Sequence, residues 1–274
     1  MNTQQIKEAF DNGRRVYGTA VLTASPFWPP YLSQTGIDFV FIDTEHVPLD
    51  RNSLSWMCRT YSALSLAPIV RIPNHDPFEA CKALDGGAQG IIAPYIEHPD
   101  QLKPLVGATK YRPIKGERLD KILSDSSPLE PELETYLHDR NQNTLLIANI
   151  ESQPAIQNLD KILEIQELDA VLIGPHDLSC SLGIPEDYNH PRFDEAVEQI
   201  FRKARAAGKG AGLHFVHGVD RHVELAKLGA NFIIHSDCIH LITEKLTADL
   251  KQLRQAFGDS SRPPSNSAEK VPVI

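Results

Sequence analysis

Two stretches, Leu145-Leu-Ile-Ala-Asn-Ile-Glu151 and Asp169-Ala-Val-Leu-Ile-Gly-Pro-His-Asp177, decide the fold of this chain. Each is a short aliphatic run that leads to a carboxylate, and the segment 153–166 between them has the length and periodicity of one helix. This order predicts a βαβ unit, in which a crossover helix joins two parallel strands. Glu151 and Asp177 should therefore lie side by side at the carboxyl ends of neighbouring strands.

The same alternation of strand and helix runs through most of the chain. Further strands are predicted at 17–22, 39–43, 68–71, 89–93, 210–214 and 231–235, and further helices at 3–13, 52–64, 77–84, 99–109, 194–207, 219–228 and 244–257. The strands are apolar throughout, which is typical of a parallel sheet covered on both faces. Eight such units predict an α/β fold, a (β/α)8 TIM barrel formed by one domain at 1–257.

Two segments do not fit the repeat. The segment 111–143 shows no clear strand and contains an acidic, helix-like part near 129–137, and loops of this size usually serve function or assembly. The tail at 258–274 is rich in Ser and Pro and has little to bury, so it is expected to be disordered or packed on a neighbour.

Composition and charge restrict the partners. The chain has 274 residues, is 41% hydrophobic and carries a net charge of −9, and its basic residues are dispersed, which argues against nucleic acid or an anionic membrane as a partner. No apolar run approaches the roughly 20 residues of a membrane span, and the N-terminus lacks the features of a signal peptide. The four cysteines form no CxxC pair, so a zinc ribbon is not expected. A cytoplasmic protein that acts on a small molecule is predicted.

The strand ends are unusually polar. In a barrel they all meet at one mouth, where this chain places Asp43, Glu45, His46, Arg71, Glu151, Asp177, His214 and His235. Two adjacent carboxylates, Glu151 and Asp177, predict a site for a hard divalent cation. The simpler interpretations are that each acid caps the following helix and that Arg71 pairs with Asp43 or Glu45. Those two acids either order the water molecules of the metal or hydrogen-bond the loop.

This set of groups suits the chemistry of an enolate. A divalent ion held by only two carboxylates keeps open positions and, as a Lewis acid, stabilises an oxyanion. Arg71 adds a positive charge that cannot deprotonate, and His46 supplies an imidazole for acid–base chemistry. No lysine stands among the strand ends, which argues against a Schiff-base aldolase.

Five motifs extend these inferences. Asp43-Thr-Glu-His46, Arg71-Ile-Pro73, Leu84-Asp-Gly-Gly-Ala-Gln89, Asn149-Ile-Glu151 and Gly174-Pro-His-Asp-Leu-Ser179 resemble, in order and spacing, the HpcH/HpaI aldolases, the metal-dependent class II pyruvate aldolases. The resemblance covers roughly residues 15–255. It implies a (β/α)8 barrel, assembled as a hexamer of two trimers with the last helix packed on a neighbouring subunit.

The resemblance also assigns roles. It implies that Glu151 and Asp177 hold Mg²⁺, Mn²⁺ or Co²⁺, which also binds pyruvate, and that Arg71 stands beside the keto oxygen. It makes His46 and Asp85 an acid-base dyad. The expected activity is cleavage or formation of 2-keto-4-hydroxy acids through a pyruvate enolate.

Three positions depart from the family pattern and bear on the substrate. Asn149 stands where the family commonly has glutamine, which puts its contact with substrate in doubt. His176 replaces a small residue beside Pro175, in the loop whose backbone amides receive the pyruvate carboxylate, and His214 occupies a strand end that is often apolar. Both histidines add donors near the mouth and so favour a polar or acidic acceptor half.

Three other functions stay open at this point. The same enolate would serve an oxaloacetate decarboxylase, or an acyl-CoA lyase like the citrate lyase β subunits, although no clear nucleotide-binding patch is present. From another class, the chain could be a catalytically silent metabolite-binding barrel. Retention of both metal carboxylates together with Arg71 and His46 argues against that last interpretation.

Overall fold

A computed structural model describes residues 1–124, 128–216 and 218–260. The eight strands are β1 Val16–Val21, β2 Phe39–Asp43, β3 Ala67–Arg71, β4 Gly90–Ala93, β5 Leu145–Asn149, β6 Ala170–Ile173, β7 Gly210–Phe215 and β8 Phe232–Asp237. They form one closed barrel in sequence order, in which each neighbouring pair is parallel and β8 pairs with β1. The predicted (β/α)8 barrel is confirmed.

The helices surround this barrel. They are α1 Thr3–Asp11, α2 Trp28–Leu32, α3 Arg51–Ala63, α4 Pro77–Gly86, α5 Pro99–Lys110, α6 Gly116–Leu123, α7 Pro131–Asn141, α8 Gln153–Gln157, α9 Leu159–Leu163, α10 Pro175–Ser181, α11 Pro191–Ala206, α12 Val219–Lys227 and α13 Cys238–Phe257. None of the helices in the described ranges is long and apolar enough to cross a membrane.

The core has two layers that leave only one end of the barrel open. One apolar layer lies between the strands and the outer helices, and a second fills the barrel interior. Ile6 and Phe10 of α1 belong to the interior layer, and Phe10 meets Phe232 edge-to-face at 5.7 Å. Because Phe232 begins β8 and stacks at 4.8 Å on Phe39, which begins β2, α1 closes the N-terminal end. The carboxyl ends of the strands remain as the accessible mouth.

The structure differs from the sequence-based prediction at several helices. The helix expected at 153–166 is two five-residue helices, α8 and α9, separated at Asn158, whose side-chain amide donates to the carbonyl of Glu97. The segment 111–143 contains α6 and α7, and the second of these contains most of the acidic part predicted at 129–137. A short helix, α2, follows β1, where none was clear from the sequence.

The last helix begins earlier than predicted. Helix α13 starts at Cys238 rather than at Glu244, because the side chain of Asp237 caps it by accepting hydrogen bonds from the N–H groups of Ile239 and His240. It ends at Phe257 as predicted, with Gly258 in the left-handed conformation. Most of the tail predicted at 258–274, namely residues 261–274, lies outside the described residues.

Candidate active site

A cavity of about 490 Å³ opens at the carboxyl ends of the strands. Seven of the nine predicted site residues line it: His46, Arg71, Asn149, Pro175, His176, Asp177 and His214. Glu151 is buried beside it, where its carboxylate contacts the lining residue Asn149. Only Asp85 lies elsewhere. The structure therefore brings together side chains that are up to about 170 residues apart in sequence, as expected at the mouth of a barrel.

Arg71 is held by two carboxylates of β2 and its following loop. Its Nε and Nη2 donate to the two carboxylate oxygens of Asp43 at 2.9 and 2.7 Å, and its Nε also lies 3.1 Å from Glu45 Oε2. Arg71 and Asp43 end their strands as register partners, which places the two side chains next to each other inside the barrel. Nη1 of Arg71 has no hydrogen-bond partner in the described part of the chain, so it is available to a bound oxyanion.

The two acids beside Arg71 differ in their pKa. Burial acts to raise the pKa of Asp43, but the hydrogen bonds and charge of Arg71 outweigh it, and the pKa lies below its ordinary value. Burial also acts on Glu45, where the charges of Asp43 and Asp177 add to it, and the pKa of Glu45 is raised. The salt bridge considered as the alternative role of Arg71 is therefore present, and it fixes the guanidinium at the cavity wall.

Glu151 follows β5 and is only 2% exposed. Its Oε1 accepts the backbone N–H of Tyr95 at 2.7 Å, and its Oε2 accepts the side-chain amide of Asn149 at 3.0 Å. Burial and then the nearby negative charge of Asp177 raise the pKa of Glu151 to about 7, against the opposing effects of the Tyr95 N–H and Arg71. A buried carboxylate with a like charge beside it is a site that favours a cation.

Asp177 belongs to the first turn of α10 rather than to the end of β6 itself. The sequence placed it near a strand end, and Gly174-Pro175 starts a helix there that carries Asp177 to the cavity. Its carboxylate has no hydrogen-bond or ion-pair partner among the residues that the structure describes. The positive end of the helix dipole favours an anion at this position.

The donors around Glu151 and Asp177 fit a divalent metal ion. Both are carboxylates, and Oδ1 of Asn149, which is buried beside Glu151, has no hydrogen-bond partner. Oxygen ligands of this kind suit Mg²⁺ or Mn²⁺. Within the described residues no cluster of three or more His, Cys, Asp or Glu could hold a metal.

The predicted dyad of His46 and Asp85 is not formed within one chain. His46 lies in the loop after β2, and its Nε2 is 3.6 Å from Glu45 Oε2. Asp85 lies in the last turn of α4, where its side chain is 72% exposed and pairs with Arg112 Nη1 at 3.3 Å. The reason is topological, because α4 lies on the outside of the barrel and His46 at its mouth.

His176 and His214, the two histidines that depart from the family pattern, lie in different environments. His176 is half exposed at the mouth, and its Nδ1 is 3.9 Å from Glu186 Oε1. His214 points into the barrel, where its Nε2 is 3.1 Å from the carbonyl oxygen of Ser236 and its ring meets Phe41 edge-to-face at 5.4 Å. The sequence did not reveal Ser236 as its partner, since a backbone carbonyl leaves no sequence signal.

His235, expected at the mouth, lies on the other face of its strand. In β8 the residues Phe232 and Ile234 point into the barrel, so His235 points toward α12, where its Nδ1 is 3.2 Å from Nδ1 of His222. Side chains alternate along a strand, and a strand-end position alone does not say which face a residue takes. His235 is therefore not part of the site.

Comparison with known proteins identifies the family of this barrel. A family model described as HpcH/HpaI aldolase/citrate lyase matches residues 23–256. The chain belongs to this family. A 2-keto-3-deoxy-L-rhamnonate aldolase from Klebsiella pneumoniae is 30% identical, over 94% of this chain and 95% of the relative. The resemblance to HpcH/HpaI aldolases inferred from five motifs is confirmed.

Solved structures of other proteins share the fold. The HpcH/HpaI aldolase from Desulfitobacterium hafniense superposes with a TM-score of 0.78 at 25% identity, covering 91% of this chain and 96% of the other. A citrate synthase superposes with a TM-score of 0.78 at 29% identity, covering 93% and 99% of the two chains. This HpcH/HpaI chain is an enzyme, a carbon–carbon lyase of the metal-dependent aldolase class, as predicted.

Proposed function

We propose that this enzyme cleaves and forms 2-keto-4-hydroxy acids in the cavity at the barrel mouth, through the enolate of pyruvate. The observation that carries the proposal is that Arg71 and Asp177 line one cavity with Glu151 buried beside it, while Nη1 of Arg71 has no partner among the described residues. Glu151 and Asp177 would supply ligands for a cation, and Arg71 supplies a fixed positive charge. An oxyanion that forms between them is stabilised from both directions.

Glu151 and Asp177 are the proposed ligands of Mg²⁺, Mn²⁺ or Co²⁺. When bound, such an ion supplies a Lewis acid for the keto oxygen and a template for the pyruvate carboxylate. Asn149 holds Glu151 through its amide N–H and presents its unpartnered Oδ1 to the same space, so its shorter side chain still reaches the site. The backbone of the Pro175–His176 turn, at the start of α10, is the proposed cradle of the substrate carboxylate.

Arg71 and His46 carry the remaining proposed roles. Arg71 keeps its charge through the reaction because burial is outweighed by Asp43 and Glu45, which raise its pKa further. His46 is exposed at the cavity edge, where it can exchange a proton with the aldol hydroxyl and with solvent. Glu45 is the acid beside it in this chain. A catalytic role for Asp85 requires the cavity of a neighbouring subunit.

The proposed substrate is a 2-keto-3-deoxy sugar acid. Two relatives named 2-keto-3-deoxy-L-rhamnonate aldolase, from Klebsiella pneumoniae and Escherichia coli, are 30% and 32% identical to this chain. The cavity volume of about 490 Å³ falls in the ordinary range of pockets for small ligands. Decarboxylation of oxaloacetate gives the same enolate and is proposed as a side activity. Nothing in the described residues favours an acyl-CoA substrate over a keto acid.

The decisive experiment is retro-aldol cleavage of 2-keto-3-deoxy-L-rhamnonate by metal-stripped protein, with released pyruvate as the readout. Activity should be absent until Mg²⁺, Mn²⁺ or Co²⁺ is added, and Glu151→Ala and Asp177→Ala should stay inactive with metal. Asp139→Ala, which removes an exposed acid of α7, is the matched control and should remain active. Full activity without metal, or activity in both ligand variants, would overturn the proposal.

We also propose that the enzyme is a homo-oligomer, a trimer or hexamer, that forms through α13. This helix presents an apolar stripe at helical spacing, in which all members are exposed: Ile239, Ile242, Leu246, Leu250, Leu253 and Phe257. A groove of about 470 Å³ lies beside β1, β8 and α12, where a barrel normally packs its eighth helix. An exposed apolar face of this length favours association with another copy.

The location and domain division are proposals as well. We propose that the enzyme is cytoplasmic. We propose that residues 1–257 form one catalytic domain and that 258–274 serve as a flexible tail.

A further inference from the structure

His214 has one tautomer in this structure. Its Nε2 lies 3.1 Å from the carbonyl oxygen of Ser236, and a carbonyl can only accept a hydrogen bond. Nε2 therefore carries the hydrogen and donates it. Burial, followed by the positive charge of Arg71, lowers the pKa of His214 to about 4, so the ring is neutral at neutral pH. In the neutral ring with hydrogen on Nε2, Nδ1 is an acceptor only.

The carbonyl that fixes this tautomer belongs to a strained residue. Ser236 has a φ of 53°, a left-handed conformation that is uncommon for a residue other than glycine. The register between β1 and β8 also shifts at this level, between Gly18 and Ala20. The Ser236 carbonyl lies within reach of Thr19 Oγ1 as well, at 3.4 Å. Such strain is maintained by its surroundings and concentrates at functional sites, and here it coincides with the hydrogen bond to His214.

Nδ1 of His214 is the ring nitrogen that the protein leaves unused. It has no hydrogen-bond partner among the described residues. His214 lines the same cavity as Arg71 and Asp177. The structure thus presents a lone pair, and no N–H, at this point of the wall.

Pyruvate cannot satisfy this nitrogen. Its carboxylate and keto oxygens only accept hydrogen bonds, and it has no donor. The partner of Nδ1 must come from the other half of the substrate. We propose that His214 Nδ1 accepts a hydrogen bond from a hydroxyl group on the aldehyde half, which makes the enzyme selective for hydroxyaldehydes over apolar aldehydes. This proposal rests on the proposed aldolase function.

The same geometry corrects one expectation from the sequence. There, His214 was expected to add a donor near the mouth and so favour a polar or an acidic acceptor half. In the structure, the only N–H of the His214 ring donates to the carbonyl of Ser236. A carboxylate that faces Nδ1 would therefore place one acceptor against another. An acidic group at this position would therefore be repelled, and a hydroxyl group is the polar group that fits.

The test compares two aldehydes, one with a hydroxyl group and one with a methyl group at the same position. Glycolaldehyde and propanal have similar size, but only glycolaldehyde carries a hydroxyl group. Rates of aldol addition to pyruvate give kcat/KM for each, and exchange of pyruvate methyl protons with D₂O reports enolate formation without any aldehyde. The variants are His214→Leu, which removes the acceptor, and His214→Gln, which keeps a donor for Ser236 and an acceptor for the hydroxyl group and should retain the preference for glycolaldehyde.

The wild type should prefer glycolaldehyde, and His214→Leu should lower kcat/KM for glycolaldehyde about tenfold more than for propanal, mainly through KM. His138→Leu is the same replacement at an exposed histidine of α7. It should leave the ratio of kcat/KM for the two aldehydes unchanged. An unchanged ratio in His214→Leu, or no preference in the wild type, would overturn the proposal. Equal losses for both aldehydes would place the contact on the new aldol hydroxyl and overturn it too. If the wild type shows neither proton exchange nor addition of any aldehyde, the aldolase proposal itself fails.

Discussion

Gly174 and Glu151 are packed so closely that position 174 admits no side chain. A Cβ built on Gly174 would lie less than 3.0 Å from Glu151 Oε2, closer than Cβ atoms approach other atoms in proteins. The backbone of Gly174 has an ordinary negative φ of −87°, so the requirement is one of space and not of conformation. The glycine that begins the Gly-Pro-His-Asp motif leaves the space that the buried carboxylate of Glu151 occupies.

We predict that Gly174→Ala weakens metal binding. The added methyl group must displace the Glu151 carboxylate from its hydrogen bonds with Tyr95 and Asn149, and changes around a metal ligand typically cost about 10- to 100-fold in affinity. Titration of the metal-stripped protein with Mn²⁺ measures this. Gly86→Ala is the matched control, because a Cβ there meets Ser55 at an ordinary 3.7 Å. Equal Mn²⁺ affinity in the two variants would contradict the prediction.

We predict that Glu151 contributes a loss of stability to the metal-free enzyme as the pH rises. Glu151 has its pKa raised from 4.5 to about 7, so between these values the folded protein binds a proton that the unfolded chain has lost. Its stabilising contribution is complete below about pH 4.5 and is lost as the pH rises through about 7, with an upper limit on the order of 3 kcal/mol. Thermal unfolding at pH 5 to 8 measures the effect, and Mn²⁺ should reverse the loss above pH 7. Burial lowers the pKa of His214 to about 4, which acts in the opposite direction, so the effect is measured as the difference in stability between the wild type and Glu151→Gln. This difference should change with pH in the direction given, and a constant difference would refute the assignment.

We predict that Arg71→Ala destabilises the enzyme by about 3 kcal/mol, in addition to removing activity. The change leaves Asp43 buried without its two hydrogen bonds, and an uncompensated buried charge is costly. Asp43→Asn should cost less, since Arg71 retains Glu45. Urea unfolding measures the free energies. The control is Lys103→Ala, which breaks an exposed pair with Asp100 and should leave the free energy of unfolding nearly unchanged. Similar values for Arg71→Ala and the control would show that the buried pair is not needed for stability.

We predict that Leu253→Glu lowers the oligomeric state. Leu253 belongs to the exposed apolar stripe of α13, and a charge there would have to be buried in any interface that covers the stripe. Gln255→Glu introduces the same charge on the opposite face of the same helix and is the control. Light scattering after size-exclusion chromatography gives the mass. The prediction fails if both variants keep the mass of the wild type, or if the wild type is a monomer.

Much of the fold could be predicted because it depends on local periodicity. Uninterrupted apolar runs such as Leu145–Asn149 mark strands that are covered on both faces, and their alternation with helix-length segments predicts the barrel. The boundaries were predicted less well where tertiary contacts compete with periodicity. Asn158 divides the helix after β5 by bonding to Glu97, which lies about 60 residues earlier in the chain, and Asp237 starts α13 six residues before the predicted position.

The sequence by itself determined the strand order, the mouth of the barrel and the identities of the groups there, because parallel strands must deliver their carboxyl ends to one edge. Only the tertiary structure decided which of these groups meet. It separated Asp85 from His46, turned His235 to the outer face, and paired Arg71 with Asp43. It also paired the N–H of His214 with the backbone carbonyl of Ser236. Distances between strands, the face that each side chain takes and the direction of a carbonyl depend on the packing of the whole barrel, and no local pattern encodes them.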